Sequence, residues 1–234
     1  MTSLIQYGPL LLQGFAMTLL VSLAAFGVAI VLGLLGAWAK ISGGRIARSI
    51  AGTYTVVIRG VPELVLILLI YYGLPSVVQN GVRYLGGEAF ARFRLDFDPF
   101  TAGALTLGLI YGAFATEVFR GALQSVPRGQ IEAGRAYGFH GWRLARQIVL
   151  PQMLRFAISG LGNVWLVLVK ATALISAIQL TELMRTAELG AANTREPFTF
   201  YLAAAAMYLA ITIASLLALR AAERWAFRGE RAVA

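Results

Sequence analysis

Apolar positions along this chain do not alternate with polar ones. They run in five long blocks, about residues 10–39, 50–74, 100–123, 153–180 and 200–219, parted by polar and charged segments. Each block has about 20 residues or more, enough for a helix rising 1.5 Å per residue to cross a hydrocarbon core of ~30 Å. In lipid every backbone polar group must find its partner inside the segment, so each block is predicted to be a helix. The pattern predicts an all-α membrane protein with five transmembrane helices, forming a single domain over residues 1–234.

The polar segments orient the bundle. One set holds Lys40, Arg45 and Arg48, then Arg120, Arg128, Arg135, Arg143, Arg146 and Arg155, then Arg220, Arg224, Arg228 and Arg231. The opposite set holds Arg83, Arg92, Arg94, Arg185 and Arg195, offset by Glu88, Asp96, Asp98, Glu182, Glu188 and Glu196. Thirteen basic residues against five put the first set in the cytoplasm, because basic loops stay inside. The amino terminus is then outside and the carboxyl terminus inside. Tyr7, Tyr71, Tyr72 and Tyr201 fall at outer ends, Trp38 and Trp225 at inner ends, where amphipathic rings anchor.

Two blocks carry small residues at four-residue spacing: Ala25, Ala29, Gly33 and Ala37 in the first, Ala206, Ala210, Ala214 and Ala218 in the fifth. Such rows let helix backbones approach closely; packing within the chain is the expected use, a subunit interface the other. The outer connection, residues 79–99, mixes Phe90, Phe93, Leu95 and Phe97 with charges and reads as an amphipathic piece on the outer surface.

Composition narrows the function. The chain is 59% hydrophobic and 13% charged, against about 25% charged in a soluble domain. Its net charge of +9 is explained by topology, so nucleic acid is not expected as a partner. There is no cysteine, which removes disulfides and thiolate chemistry. No phosphate-binding glycine loop of the GxxxxGK[ST] kind is present. His140 is the only histidine and reads as a loop surface residue, and Asp96 and Asp98 have no histidine or cysteine beside them. No catalytic group and no metal site are expected. The amino terminus lacks a basic n-region and is read as retained.

The segment between the third and fourth blocks is too polar to span and too long for a tight turn. Pro127 can open a helix, Glu132 suits its early turns near the positive dipole end, and Gly138 can end it in a left-handed conformation. Trp142, Leu144, Ala145 and Ile148 give a second short helix an apolar side, and Pro151 follows. Glu132, Ala133, Gly134, Gly138, Ile148, Leu150 and Pro151 resemble the EAA loop of ABC-importer permeases, EAA-x3-G-x9-I-x-L-P, with every spacing matched and glycine replacing the third-position alanine at Gly134. Residues 54–75, with Arg59 to Glu63 inside them, together with 106–121 and 163–174, are similar to polar amino-acid permeases. The chain most resembles the Q-type permease of histidine, lysine, arginine, ornithine and opine systems.

The resemblance implies a type I permease fold with cytoplasmic coupling helices, in the bacterial inner membrane. It implies a cytoplasmic ATP-binding subunit dimer that holds ATP and Mg, a second permease of the homologous M type, and a periplasmic amino-acid-binding protein. The chain itself would bind no cofactor and would not be an enzyme. A self-contained secondary carrier or channel is the alternative, although five spans are few and no internal repeat is evident. A membrane enzyme or scaffold is a third reading, and the lack of a reactive constellation argues against an enzyme.

Charges inside spans face a cavity or a partner. Arg59, Glu63, Glu117 and Lys170 are such charges, and Asn163 is a further polar candidate, explained equally by interhelical hydrogen bonding. Pro62 removes a backbone donor, which predicts a kink and a freed carbonyl near Glu63. Two readings stand. Arg59–Glu63 and Glu117–Arg120 are structural pairs at helical spacing, or the polar belt is a way station for a zwitterion, with Glu63 meeting a cation and Arg59 or Lys170 a carboxylate.

Overall fold

The structure, a computed structural model, describes residues 2–86 and 98–228. All its regular elements are helical. They are α1 (Thr2–Ser42), α2 (Arg45–Gly60), α3 (Glu63–Leu68), α4 (Leu74–Gly86), α5 (Pro99–Gln124), α6 (Arg128–Ala136), α7 (Gly141–Leu144), α8 (Leu150–Ala171), α9 (Leu183–Thr194) and α10 (Pro197–Ala226). Turns of π-helix, Leu69–Gly73 and Ala145–Val149, join α3 to α4 and α7 to α8, and a 3-10 helix, Thr172–Ile178, extends α8. Five stretches are long and apolar enough to cross a membrane: Ser3–Ser42, Glu63–Tyr84, Pro99–Gln124, Gly141–Ile178 and Pro197–Ala226.

Helix α1 has 41 residues, about 60 Å, twice what a bilayer core requires. Its start rests on α9 and α10, where Tyr7 meets Phe200 edge-on at 5.5 Å and Ser3 Oγ donates to Glu196 at 2.8 Å. Its later turns lie along α5. Ala25, Ala29 and Ala37 are buried there, and a Cβ on Gly33 would come 2.7 Å from the Ala115 Cβ. The first small-residue row is therefore a packing seam between α1 and α5. With lipid as apolar as the side chains, close van der Waals fit is what holds such helices together.

The second row behaves differently. Ala206, Ala210, Ala214 and Ala218 are exposed on α10, and Ala210, Ala214 and Ala218 line an open apolar groove of about 770 Å³ with α1 and α8. Helix α10 faces inward instead through Phe200, Ala204 and Ile211.

The second apolar block, expected over 50–74, is not one helix. The helix stops at Gly60; Val61 (φ −106, ψ 139) and Pro62 (φ −56, ψ 135) are extended, and a new helix starts at Glu63. Pro62 has no N–H to continue the ladder, and its ring disfavours helical backbone at Val61. The spanning stretch is thus shifted to Glu63–Tyr84, and α2 is an amphipathic helix buried through Ala51 and Thr55. The expected kink at Pro62 is a full break. Of residues 79–99, expected as an outer amphipathic piece, 79–86 belong to α4 and 87–97 lie outside the described residues.

The two ends of the bundle differ. One gathers the end of α1, the start of α2, the end of α5, α6 and α7, the start of α8 and the end of α10; Ile131 packs into a cluster of Ala37, Phe119, Met153 and Ala157, and Ser159 Oγ donates to Glu223 at 2.6 Å. The other gathers the start of α1, α9 and the start of α10 around Leu11, Leu183, Ala187 and Phe200.

Candidate functional site

The break before Glu63 opens against the middle of α5. Glu63 accepts a hydrogen bond from the Tyr111 hydroxyl at 2.9 Å. One turn earlier, the Arg59 guanidinium lies over the Phe114 ring, 5.1 Å from its centroid, a cation–π contact. The rings of Tyr111 and Phe114 are 5.8 Å apart. Arg59 and Glu63, expected as a candidate helical pair, do not pair with each other among the described residues. The extended Val61–Pro62 step destroys the i,i+4 register that would join them. Opposite charges therefore stand at one break, each held by an aromatic side chain of α5.

Glu117 belongs to a separate cluster nearer the basic end. It accepts from Lys40 Nζ at 2.5 Å and from Arg120 Nε at 2.8 Å, and Lys40 also donates to Thr55 Oγ1. Arg120 continues to Gln124 at 2.9 Å. The expected Glu117–Arg120 pair forms, and Lys40, read from sequence only as a loop cation, completes a tie between α1, α2 and α5. Asn163 and Lys170 are exposed on α8. Lys170 opens on a cleft with Met184, Tyr201 and Tyr208 from α9 and α10.

The loop between α5 and α8 folds as its spacing predicts. Gly138 is left-handed (φ 81), and its N–H donates to the Arg135 carbonyl while the Phe139 N–H reaches the Gly134 carbonyl, both at 3.0 Å. This paired closure of the helix end satisfies carbonyls that would otherwise be orphaned. Gly134 is buried, and a Cβ there would run into Ile148 Cδ1 and come 2.8 Å from Leu144 Cδ1. The glycine in place of alanine thus lets α6 sit directly on α7 and the π-turn. That turn leads into Pro151 in the first turn of α8, where a missing N–H is harmless. Glu132, Ala133, Gly138 and Pro151 are exposed, Ile148 and Leu150 half-buried. Tyr137 and Trp142 are also exposed, 85% and 70%, so large aromatic surface stands at the basic end.

One acid departs from its expected place. Glu182, counted from sequence among outer loop charges, is fully buried. It caps α9, accepting from Met184 N and Arg185 N at 2.8 Å each, from the Tyr208 hydroxyl at 3.0 Å and from Thr18 Oγ1 at 3.4 Å. Burial pushes its carboxyl above the usual carboxylate range, against the pull of those four donors. Glutamate is not among the preferred caps, so no local signal in the sequence marks it. Tyr111 and Phe114 were equally silent, since an aromatic inside an apolar block reads as packing.

A helical bundle with opposite charges at a helix break and a basic helical hairpin exposed at one end defines a membrane transport subunit driven from outside itself. Residues 29–228 match the family described as binding-protein-dependent transport system inner membrane component. The chain belongs to that family, and it is a permease subunit of an ABC importer, not an enzyme. It is 44% identical over 219 residues to the octopine transport system permease protein OccQ of Rhizobium radiobacter, covering 94% of this chain and 91% of that one. It is 42% identical over 209 residues to the histidine/lysine/arginine/ornithine transport system permease protein HisQ of Escherichia coli K12, covering 89% and 90%. Its fold matches a chain from the crystal structure of an amino acid ABC transporter with histidines, with TM-score 0.79 and 31% identity over 95% of this chain and 97% of that one. The family works with an ATPase, a substrate-binding protein and a second permease.

Proposed function

We propose that this chain is the Q-type permease of an importer for basic amino acids or opines, with histidine, arginine, lysine and ornithine as the leading substrates. It stands in a bacterial inner membrane, amino terminus outside and carboxyl terminus inside. It pairs with an M-type permease, two copies of a cytoplasmic ATPase and a periplasmic binding protein. ATP and Mg are held by the ATPase, and this chain binds no cofactor. Arg59, Glu63, Glu117, Asn163 and Lys170 contribute to the substrate path.

The observation that carries the substrate reading is the break at Val61–Pro62. A carboxylate at the break, beside the middle of α5, that accepts from Tyr111 alone among the described residues retains acceptor capacity for a cationic side chain. The relatives named for octopine and for histidine, lysine, arginine and ornithine support the same class. The coupling role falls to Glu132, Ala133, Gly134, Gly138, Ile148, Leu150 and Pro151: ATP closes the ATPase dimer, and the rigid hairpin passes that motion into α8 and α5 as rigid-body rocking.

Glu63→Gln in the reconstituted importer is expected to reduce uptake of arginine and lysine more than uptake of a neutral amino acid. Equal loss for both would make Glu63 a structural residue. Glu132→Lys is expected to lose copurification of the ATPase. Concentrative uptake by this chain alone in ATP-free vesicles would overturn the whole scheme.

A further inference from the structure

Lys170 lines a cleft that includes neither Arg59 nor Glu63. It stands in the last turn of α8 and opens on a cleft of about 340 Å³ with Ala173, Met184, Tyr201, Ala204 and Tyr208. That volume falls in the range of small-molecule sites, which are apolar clefts with one or two placed polar groups. An ammonium within a spanning stretch requires an anion or water. Among the described residues Lys170 has no ion pair.

The nearby acids are already engaged. Both oxygens of Glu182 are taken by the four donors named above. Glu188, on the same helix, accepts from Arg185 at 2.8 Å. The Tyr208 hydroxyl donates its hydrogen bond to Glu182, so Glu182 also fixes the ring that walls the cleft. What remains is a fixed apolar wall with one uncommitted cation. Arg59 stands over the Phe114 ring at the break and does not line this cleft.

We propose that the Lys170 cleft is a carboxylate subsite: the ammonium binds the α-carboxylate of the transported amino acid, and Tyr201, Met184 and Tyr208 enclose the carbon atoms beside it. The assignment rests on the amino-acid reading above. It adds that the anion of the substrate is met between α8, α9 and α10, apart from the carboxylate of Glu63.

The sequence makes the test clean. Lys170 and Lys40 are the only lysines, and Lys40 is held between Glu117 and Thr55. The assembled importer, in detergent, is treated with a membrane-permeant amine-acylating reagent, and modification of each lysine is followed by peptide mass spectrometry. L-arginine, argininamide and propionate are the protecting probes. Arginine and propionate are expected to slow modification of Lys170 by roughly fivefold or more, as a charge-assisted hydrogen bond of ordinary strength would, with argininamide ineffective and Lys40 unchanged throughout. In parallel, wild-type ATP hydrolysis is expected to respond to arginine over argininamide, and Lys170→Met to lose that preference while Lys170→Arg keeps part of it. Equal protection by arginine and argininamide, or protection by neither arginine nor propionate, overturns the subsite. Protection by propionate without any stimulation of ATP hydrolysis by amino acids would leave the carboxylate site standing and overturn the amino-acid reading instead.

Discussion

Replacing Glu182 tests the strongest structural claim that sequence reading did not provide. The side chain is completely buried and takes four hydrogen bonds that join α1, α9 and α10. Glu182→Ala removes the helix cap, worth about 1–2 kcal/mol. It also strips a buried partner from the Tyr208 hydroxyl, worth about 1–3 kcal/mol. Burial already disfavours the charged carboxylate, as its raised pKa shows, so the lower half of the summed range of about 2–5 kcal/mol applies, about 3 kcal/mol. At ~2–4 °C per kcal/mol for a chain of this size the Tm falls by about 10 °C. Glu182→Gln keeps one acceptor oxygen but turns an NH2 group toward donors, and about half that loss is expected.

The pH dependence has a definite sign. A carboxyl whose folded pKa lies above its ordinary value of 4.5 contributes stability that is fully present below that value and is lost as pH rises through the folded pKa. The advantage of wild type over the non-titrating Glu182→Gln variant therefore shrinks as pH rises above 4.5. The assay is thermal unfolding of the purified importer across a pH series, with Glu196→Gln as a surface control. A Glu182→Ala protein melting within ~2 °C of wild type, or an advantage over Glu182→Gln that grows with pH, would refute the reasoning.

Gly134→Ala gains about 1 kcal/mol of helix propensity but forces Ile148 aside, an overpacking cost of about the same size. A near-neutral single variant is expected, with Ile148→Val showing favourable coupling in a double-mutant cycle read by thermal unfolding. Gly138→Ala places a Cβ at a left-handed position (φ 81), costing about 1 kcal/mol; ATPase retention on the purified permease is expected to weaken while the spans stay folded. Glu117→Ala leaves Lys40 with Thr55 alone in a side chain 14% exposed; a loss of about 1–3 kcal/mol is expected, below the fully buried case because Arg120 and water share the site, and Lys40→Met in the same background should recover part of it.

Much of the architecture was legible because lipid imposes a severe rule. A segment of some twenty apolar residues must be helical in a membrane. The hairpin between α5 and α8 was legible for a local reason: Pro127, Gly138 and Pro151 constrain backbone angles within a few residues of themselves, and the structure has a left-handed Gly138 and a Pro151 in the first turn of α8. Pro62 likewise announced a disturbance at its own position.

Tertiary structure decided what depends on neighbours distant in sequence. Two alanine rows with the same spacing diverge, one buried against α5 and one exposed on α10, because spacing describes a face and not what faces it. Arg59 and Glu63 had the spacing of a pair, yet the break turned them to Phe114 and Tyr111. Glu182 looked like a solvated loop charge until three helices closed around it. Backbone conformation obeys local covalent and solvent constraints that a chain carries with it. The partner of a charge within the bundle is chosen only when helices pack, as the Tyr111 hydroxyl at Glu63 and the four donors around Glu182 show.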